Sequence, residues 1–131
     1  MAVTPEQIRR FVERKERRRQ GELERLHGEA CRAAARIVQT IVQRYRPARI
    51  VQWGSLLDVR RFRDYSDIDL AVEGVTDPER FFSLLQEAEA ETGFPLDIVQ
   101  LERVEPEFRD LILQKGRVVY ERERPAQSAA E

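Results

Sequence analysis

The chain has 131 residues, enough for one domain with a real core, and its 23 Lys and Arg nearly balance its 24 Asp and Glu. That balance excludes a wholly electrostatic nucleic-acid binder while leaving room for a local basic patch. One cysteine, Cys31, excludes an intrachain disulfide and a cysteine-built zinc site.

Thr4-Pro5-Glu6-Gln7 reads as a helix start: Thr4 caps, Pro5 fits the first helical position and Gln7 completes a capping box. Helix-forming residues continue to about Tyr45, and Leu23, Leu26, Ala30, Cys31, Ala34, Ile37, Val38, Ile41 and Val42 hold the three-four spacing of an amphipathic stripe. Gly21 and Gly28 weaken this helix, and a break near Gly21 is expected. The stretch Arg9–Arg19 is strongly basic with few apolar residues, which suits a solvent-facing arm or a partner-binding helix. Cys31 reads as a small buried apolar residue, and His27, the only histidine, as a surface or packing residue.

Pro47 ends the helix. Arg49–Trp53 is a short strand closed by Gly54-Ser55, and residues 56–64 read as a short helix plus loop. Residues 67–72 form a second strand. Thr76-Asp77-Pro78-Glu79 is a second capping box, opening a helix striped by Phe81, Phe82, Leu84, Leu85 and Ala88. Leu96–Leu101 is a third strand, Pro106–Gln114 a short helix stopped at Lys115-Gly116, and Val118–Tyr120 a final edge strand. Trp53 and the Phe81-Phe82 pair are expected in the core. The order predicts an α/β (α+β) domain with a small central sheet, divided as a helical extension over residues 1–46, the domain over 47–123 and a disordered tail over 124–131. No apolar leader or membrane-spanning stretch is apparent, so a cytoplasmic location is expected, without membrane contact.

Chemistry concentrates on three features. Asp67 and Asp69 lie two apart in the run Ser66–Val72, so in a strand they share a face while Ile68 and Leu70 turn inward. Two adjacent carboxylates repel, and a divalent metal removes that cost. Asp97 repeats the pattern in the next strand, and sequential strands usually adjoin, so three carboxylates converge, as two-metal phosphoryl transfer needs. The bland reading of Asp97 is a structural acid paired with an arginine. Gly54 lets a phosphate approach the backbone, and the Ser55 hydroxyl can hold its oxygens or, more plainly, cap the following turn.

Gly54-Ser55, eleven residues, then Asp67-Ile68-Asp69 resembles the signature of the DNA polymerase β-like nucleotidyltransferase superfamily, above all its minimal (MNT-type) members, which pair with HEPN-domain proteins in toxin–antitoxin modules. The resemblance spans roughly Ile50 to Tyr120. It implies a mixed sheet flanked by helices, ATP or another NTP as donor and Mg2+ as cofactor. Gly54 and Ser55 would hold the triphosphate. Asp67, Asp69 and Asp97 would bind two metals and form the catalytic set, with Asp97 helping to deprotonate an acceptor hydroxyl. Many minimal members carry a basic residue directly after Gly-Ser. Here Leu56-Leu57-Asp58-Val59 stands there, and Arg60, Arg61 and Arg63 supply positive charge from farther along the loop.

The function expected on this resemblance is transfer of NMP, AMP from ATP first, to a hydroxyl such as a tyrosine of a HEPN toxin, giving an antitoxin. A HEPN-type partner or a second copy would complete the acceptor site. The alternative is a catalytically weak module of the same fold that neutralises a partner by contact through its long helix. A third reading is RNA binding by Arg9–Arg19.

Overall fold

The computed structural model describes residues 2–123. Helix α1 runs Pro5–Tyr45 without interruption, about 60 Å long at 1.5 Å per residue. Its start is the expected capping box: Thr4 Oγ1 accepts from the Gln7 N–H, and the Gln7 side chain accepts from the Thr4 N–H. The break expected near Gly21 is absent. A mid-helix glycine costs about 1 kcal/mol relative to alanine, too little to stop a helix flanked by strong formers.

The apolar stripe of α1 divides the helix in two. From Ala30 onward it buries Ala30, Ala33, Ala34, Ile37, Ile41 and Tyr45 against the sheet. Residues 2–20 are exposed throughout and include Ile8, Phe11 and Val12 at i, i+3 and i+4. The helix ends at Arg46 in the left-handed conformation (φ 48°), whose N–H donates to the Val42 carbonyl.

Four strands follow: β1 Arg49–Trp53, β2 Ile68–Glu73, β3 Leu96–Gln100 and β4 Arg117–Glu121. Their spatial order is β3-β2-β1-β4, with β1 antiparallel to both neighbours and β2 parallel to β3. Helices α2 (Pro78–Ala90) and α3 (Pro106–Lys115) connect β2 to β3 and β3 to β4. The small central sheet is the one expected from the order of elements, and its mixed character with flanking helices is what the resemblance implies.

The period-2 alternation sorts the strands onto two faces. Ile50, Ile68, Leu70, Val72 and Ile98 join α1 and α2 in the larger core. Val51, Ala71 and Leu101 pack with Ile112 of α3 on the other face, with Trp53, Val99 and Phe108 partly buried at its margin. Trp53 is therefore at the margin of a core and not inside one.

Local details differ from the sequence pattern in three places. Pro78 opens α2, so the cap is Asp77, accepting from the Arg80 N–H, and not Thr76 with Glu79. Phe81 packs on the core while Phe82, about 100° farther round the helix, falls outside the inward stripe and is exposed. Gly116 caps α3 in an extended and not a left-handed conformation, and its missing Cβ makes room for the Ile112 carbonyl. The tail expected from residue 124 lies outside the described residues. Among the described residues no helix is long and apolar enough to cross a membrane.

Candidate active site

The site begins with the register of two parallel strands. Asp69 of β2 stands opposite Asp97 of β3, and Asp69 also stands opposite Trp53 at the end of β1. Asp69 alternates with buried Leu70 and shares parity with Ala71, so it belongs to the α3 face; Asp97 shares parity with Val99 and joins it there. Asp67 lies one residue before β2 and is exposed. The second strand thus starts one residue later than its apolar run suggests.

The three carboxylates interact. Burial pushes the Asp69 carboxyl up from 3.8 to about 7, and the negative charges of Asp97 and then Asp67 push in the same direction. Among the described residues none of the three is in an ion pair or a side-chain hydrogen bond. The bland reading of Asp97 as an arginine partner therefore has no arginine to support it.

Gly54 closes the site from the β1 side. Its φ is +82°, in the region that favours glycine, and a Cβ built on it would run into Asp69 Oδ2 and sit 3.0 Å from Asp69 Cγ. The Gly54 backbone and the Asp69 carboxylate are thus in direct apposition. From Gly54 the chain enters a single 3₁₀ turn, Ser55–Leu57, in which the Leu57 and Asp58 N–H groups donate to the Gly54 and Ser55 carbonyls. Ser55 is not the cap of this turn; Gly54 holds that position without a side-chain bond.

The turn is held from behind by a residue that sequence reasoning left as surface or packing. His27 Nε2 lies 2.8 Å from the Leu56 carbonyl, so that nitrogen carries the proton and donates. The same ring meets fully buried Phe62 edge-on at 5.2 Å. Helix α1 therefore braces both the turn and the loop that leads to β2. Cys31, half-buried one turn along, lies 3.6 Å from the same imidazole, and burial pushes its thiol up.

The arginines of the loop separate. Arg60 turns back to Asp58, with Nε and Nη2 at 3.3 and 3.4 Å, and lowers the Asp58 carboxyl. Arg63 donates to the Arg60 and Phe62 carbonyls. Arg61 alone lines a cleft together with Trp53 and Gly54.

The donor set suits a hard divalent cation: three oxygen ligands, unpaired, on one end of one sheet face. As they stand, no three His, Cys, Asp or Glu side chains among the described residues are gathered to hold a metal ion. Like charges keep such carboxylates apart until a cation offsets the repulsion.

The comparison with curated proteins finds no match. The family model described as polymerase beta, nucleotidyltransferase matches residues 36–125, taking in the last turns of α1, the Gly54-Ser55 turn, all four strands and the three carboxylates. The match covers more than half of the chain, and the carboxylate pair, the glycine turn and the mixed sheet all fall within it: the chain belongs to the polymerase beta nucleotidyltransferase family.

Proposed function

We propose that this protein is a magnesium-dependent nucleotidyltransferase that moves NMP, with AMP from ATP the first donor to test, to a hydroxyl acceptor. The observation that carries the reading is the unpaired Asp69 carboxylate, flanked by Asp97 and Asp67 and apposed to the Gly54 backbone. In this reading Asp67, Asp69 and Asp97 hold divalent metal, and the Gly54 backbone and Ser55 hydroxyl hold the triphosphate. Magnesium bound there supplies charge neutralisation on the transferring and leaving phosphates. Asp97, exposed at the strand edge, takes the proton of the acceptor hydroxyl. The acceptor oxygen attacks the α-phosphate in line, the bond to the β-phosphate breaks, and pyrophosphate leaves. Arg61 faces the same end of the sheet and stands in for the basic residue missing after Ser55, whereas Arg60 is engaged by Asp58.

The acceptor we propose is a tyrosine on a HEPN-type toxin, which nucleotidylation would silence. The support is the resemblance of the Gly54-Ser55 and Asp67-Ile68-Asp69 motif to the minimal members of the family. Incubation with labelled ATP, magnesium and a candidate HEPN partner tests it. Transfer is expected with the wild-type protein and not with Asp67→Ala; equal labelling in both would overturn the enzymatic reading.

A second reading keeps the fold and makes the protein a contact inhibitor. The exposed Ile8, Phe11 and Val12 on the free part of α1 favour it. Neutralisation of a partner by the Asp67→Ala protein, equal to wild type, would support this reading over the first.

A further inference from the structure

The cleft beside the carboxylates has a volume of about 350 Å³ and shares only Gly54 and Arg61 with the phosphate and metal chemistry above. Its apolar walls are Trp53, Leu57, Phe108 and Leu111, and its cations are Arg61 and Lys115. A larger hollow of about 490 Å³, built from α1 and the α2–β3 turn around Arg32, Arg36 and Phe94, shares no residue with the carboxylate face.

We propose that the cleft between Trp53 and α3 holds the nucleoside of the donor nucleotide, its base stacked against aromatic and aliphatic side chains; this rests on the nucleotidyltransferase reading. Four observations converge. Gly54 belongs both to the cleft and to the apposition with Asp69, so phosphates at the carboxylates and a nucleoside in the cleft are parts of one continuous ligand. Trp53 and Phe108 meet edge-on at 5.3 Å, giving flat surfaces that every nucleobase can stack on. Leu111 stays 46% exposed although it lines this apolar wall, which is the state of a side chain awaiting a cover. Trp53 Nε1 is shut off from solvent with no acceptor, and Arg61 and Lys115 are in no ion pair among the described residues.

The lining also limits what the cleft can select. Its exposed side chains offer donors at Arg61 and Lys115 and no side-chain acceptor for the amine of adenine. Recognition is by stacking and by acceptor atoms common to both purines. AMP and GMP therefore bind within about tenfold of each other, as expected where no paired edge contact discriminates.

Trp53 is the only tryptophan, so its fluorescence reports on the cleft wall directly. The full-length protein is titrated with AMP, GMP and inorganic pyrophosphate, and ATP affinity with magnesium is measured on wild type and on Leu111→Asp, an exposed substitution that leaves the core intact. The expected result is a Trp53 signal from AMP and GMP but not from pyrophosphate, with ATP affinity weakened about tenfold or more in Leu111→Asp. An equal signal from pyrophosphate would assign the cleft to phosphates and overturn the proposal. Unchanged ATP affinity in Leu111→Asp, with wild-type transfer intact, would overturn it while leaving the transferase reading standing; so would loss of partner binding alone in that variant. No nucleotide binding by the wild type under any condition would remove both.

Discussion

Gly54 and Asp69 occupy one space: the carboxylate of Asp69 fills the position that a side chain on residue 54 would take. The residue at the end of β1 and the acid in the middle of the site are therefore a single unit. Gly54→Ala would force a methyl group into that carboxylate at a φ of +82°. It is expected to cost about 1–3 kcal/mol of stability and to abolish metal-dependent nucleotide binding. Denaturant midpoints and calorimetry on the variant check both parts.

The burial of Asp69, reinforced by the charges of Asp97 and Asp67, predicts a pH dependence of defined sign. Asp69 titrates near 3.8 when unfolded and about 7 when folded, so the folded state binds the extra proton between those values. The stabilisation from this proton is complete below 3.8 and is lost as pH rises through about 7. Asp69→Asn does not titrate. In metal-free buffer its melting temperature should therefore gain on wild type between about pH 5 and about pH 8. A constant difference across that range would mean that Asp69 is an ordinary solvated acid.

Metal should act in the opposite direction to the repulsion. Magnesium or manganese is expected to raise the melting temperature of the wild-type protein by mass action. Asp67→Asn should match or exceed the wild type without metal and lose the metal response. A retained response in Asp67→Asn would place the metal elsewhere.

The exposed arm of α1 contributes little to the fold. Residues 2–20 bury nothing, and the core begins to draw on the helix only near Leu26 and Ala30. Deleting the arm is expected to change stability by less than about 0.5 kcal/mol, read from a denaturant midpoint. A larger loss would show that the arm packs on something in solution, a second copy included.

The residues of the candidate site were legible as a group because their signals are local. Asp67, Asp69 and Asp97 stand out as acids among β-branched and leucine residues, and a glycine at a strand end announces itself. The limits of β1 were readable to the residue, Arg49–Trp53, while the other three strands shift by one residue at one or both ends. What was not legible depends on chain segments far apart in sequence. Nothing near His27 says that its Nε2 will meet the Leu56 carbonyl 29 residues later. Nothing in Phe108, Leu111 and Lys115 says that α3 will fold over the face that carries Trp53 and Asp69. The unbroken helix through Gly21 was missed because local propensity was weighed without its strongly helical flanks. Phe82 is exposed because the stripe of α2 centres on Leu84 and Ala88 and position 82 lies off it, which the apolar pattern alone does not separate.

The central claim is that Asp69, set between Gly54 and Asp97, makes a metal-dependent nucleotide site. Calorimetric titration of ATP into the wild-type and Asp69→Asn proteins, each with and without magnesium, tests it most directly. The account predicts binding by the wild type that requires magnesium, and its loss in Asp69→Asn. Equal ATP binding by the two proteins, or wild-type binding indifferent to magnesium, would contradict it.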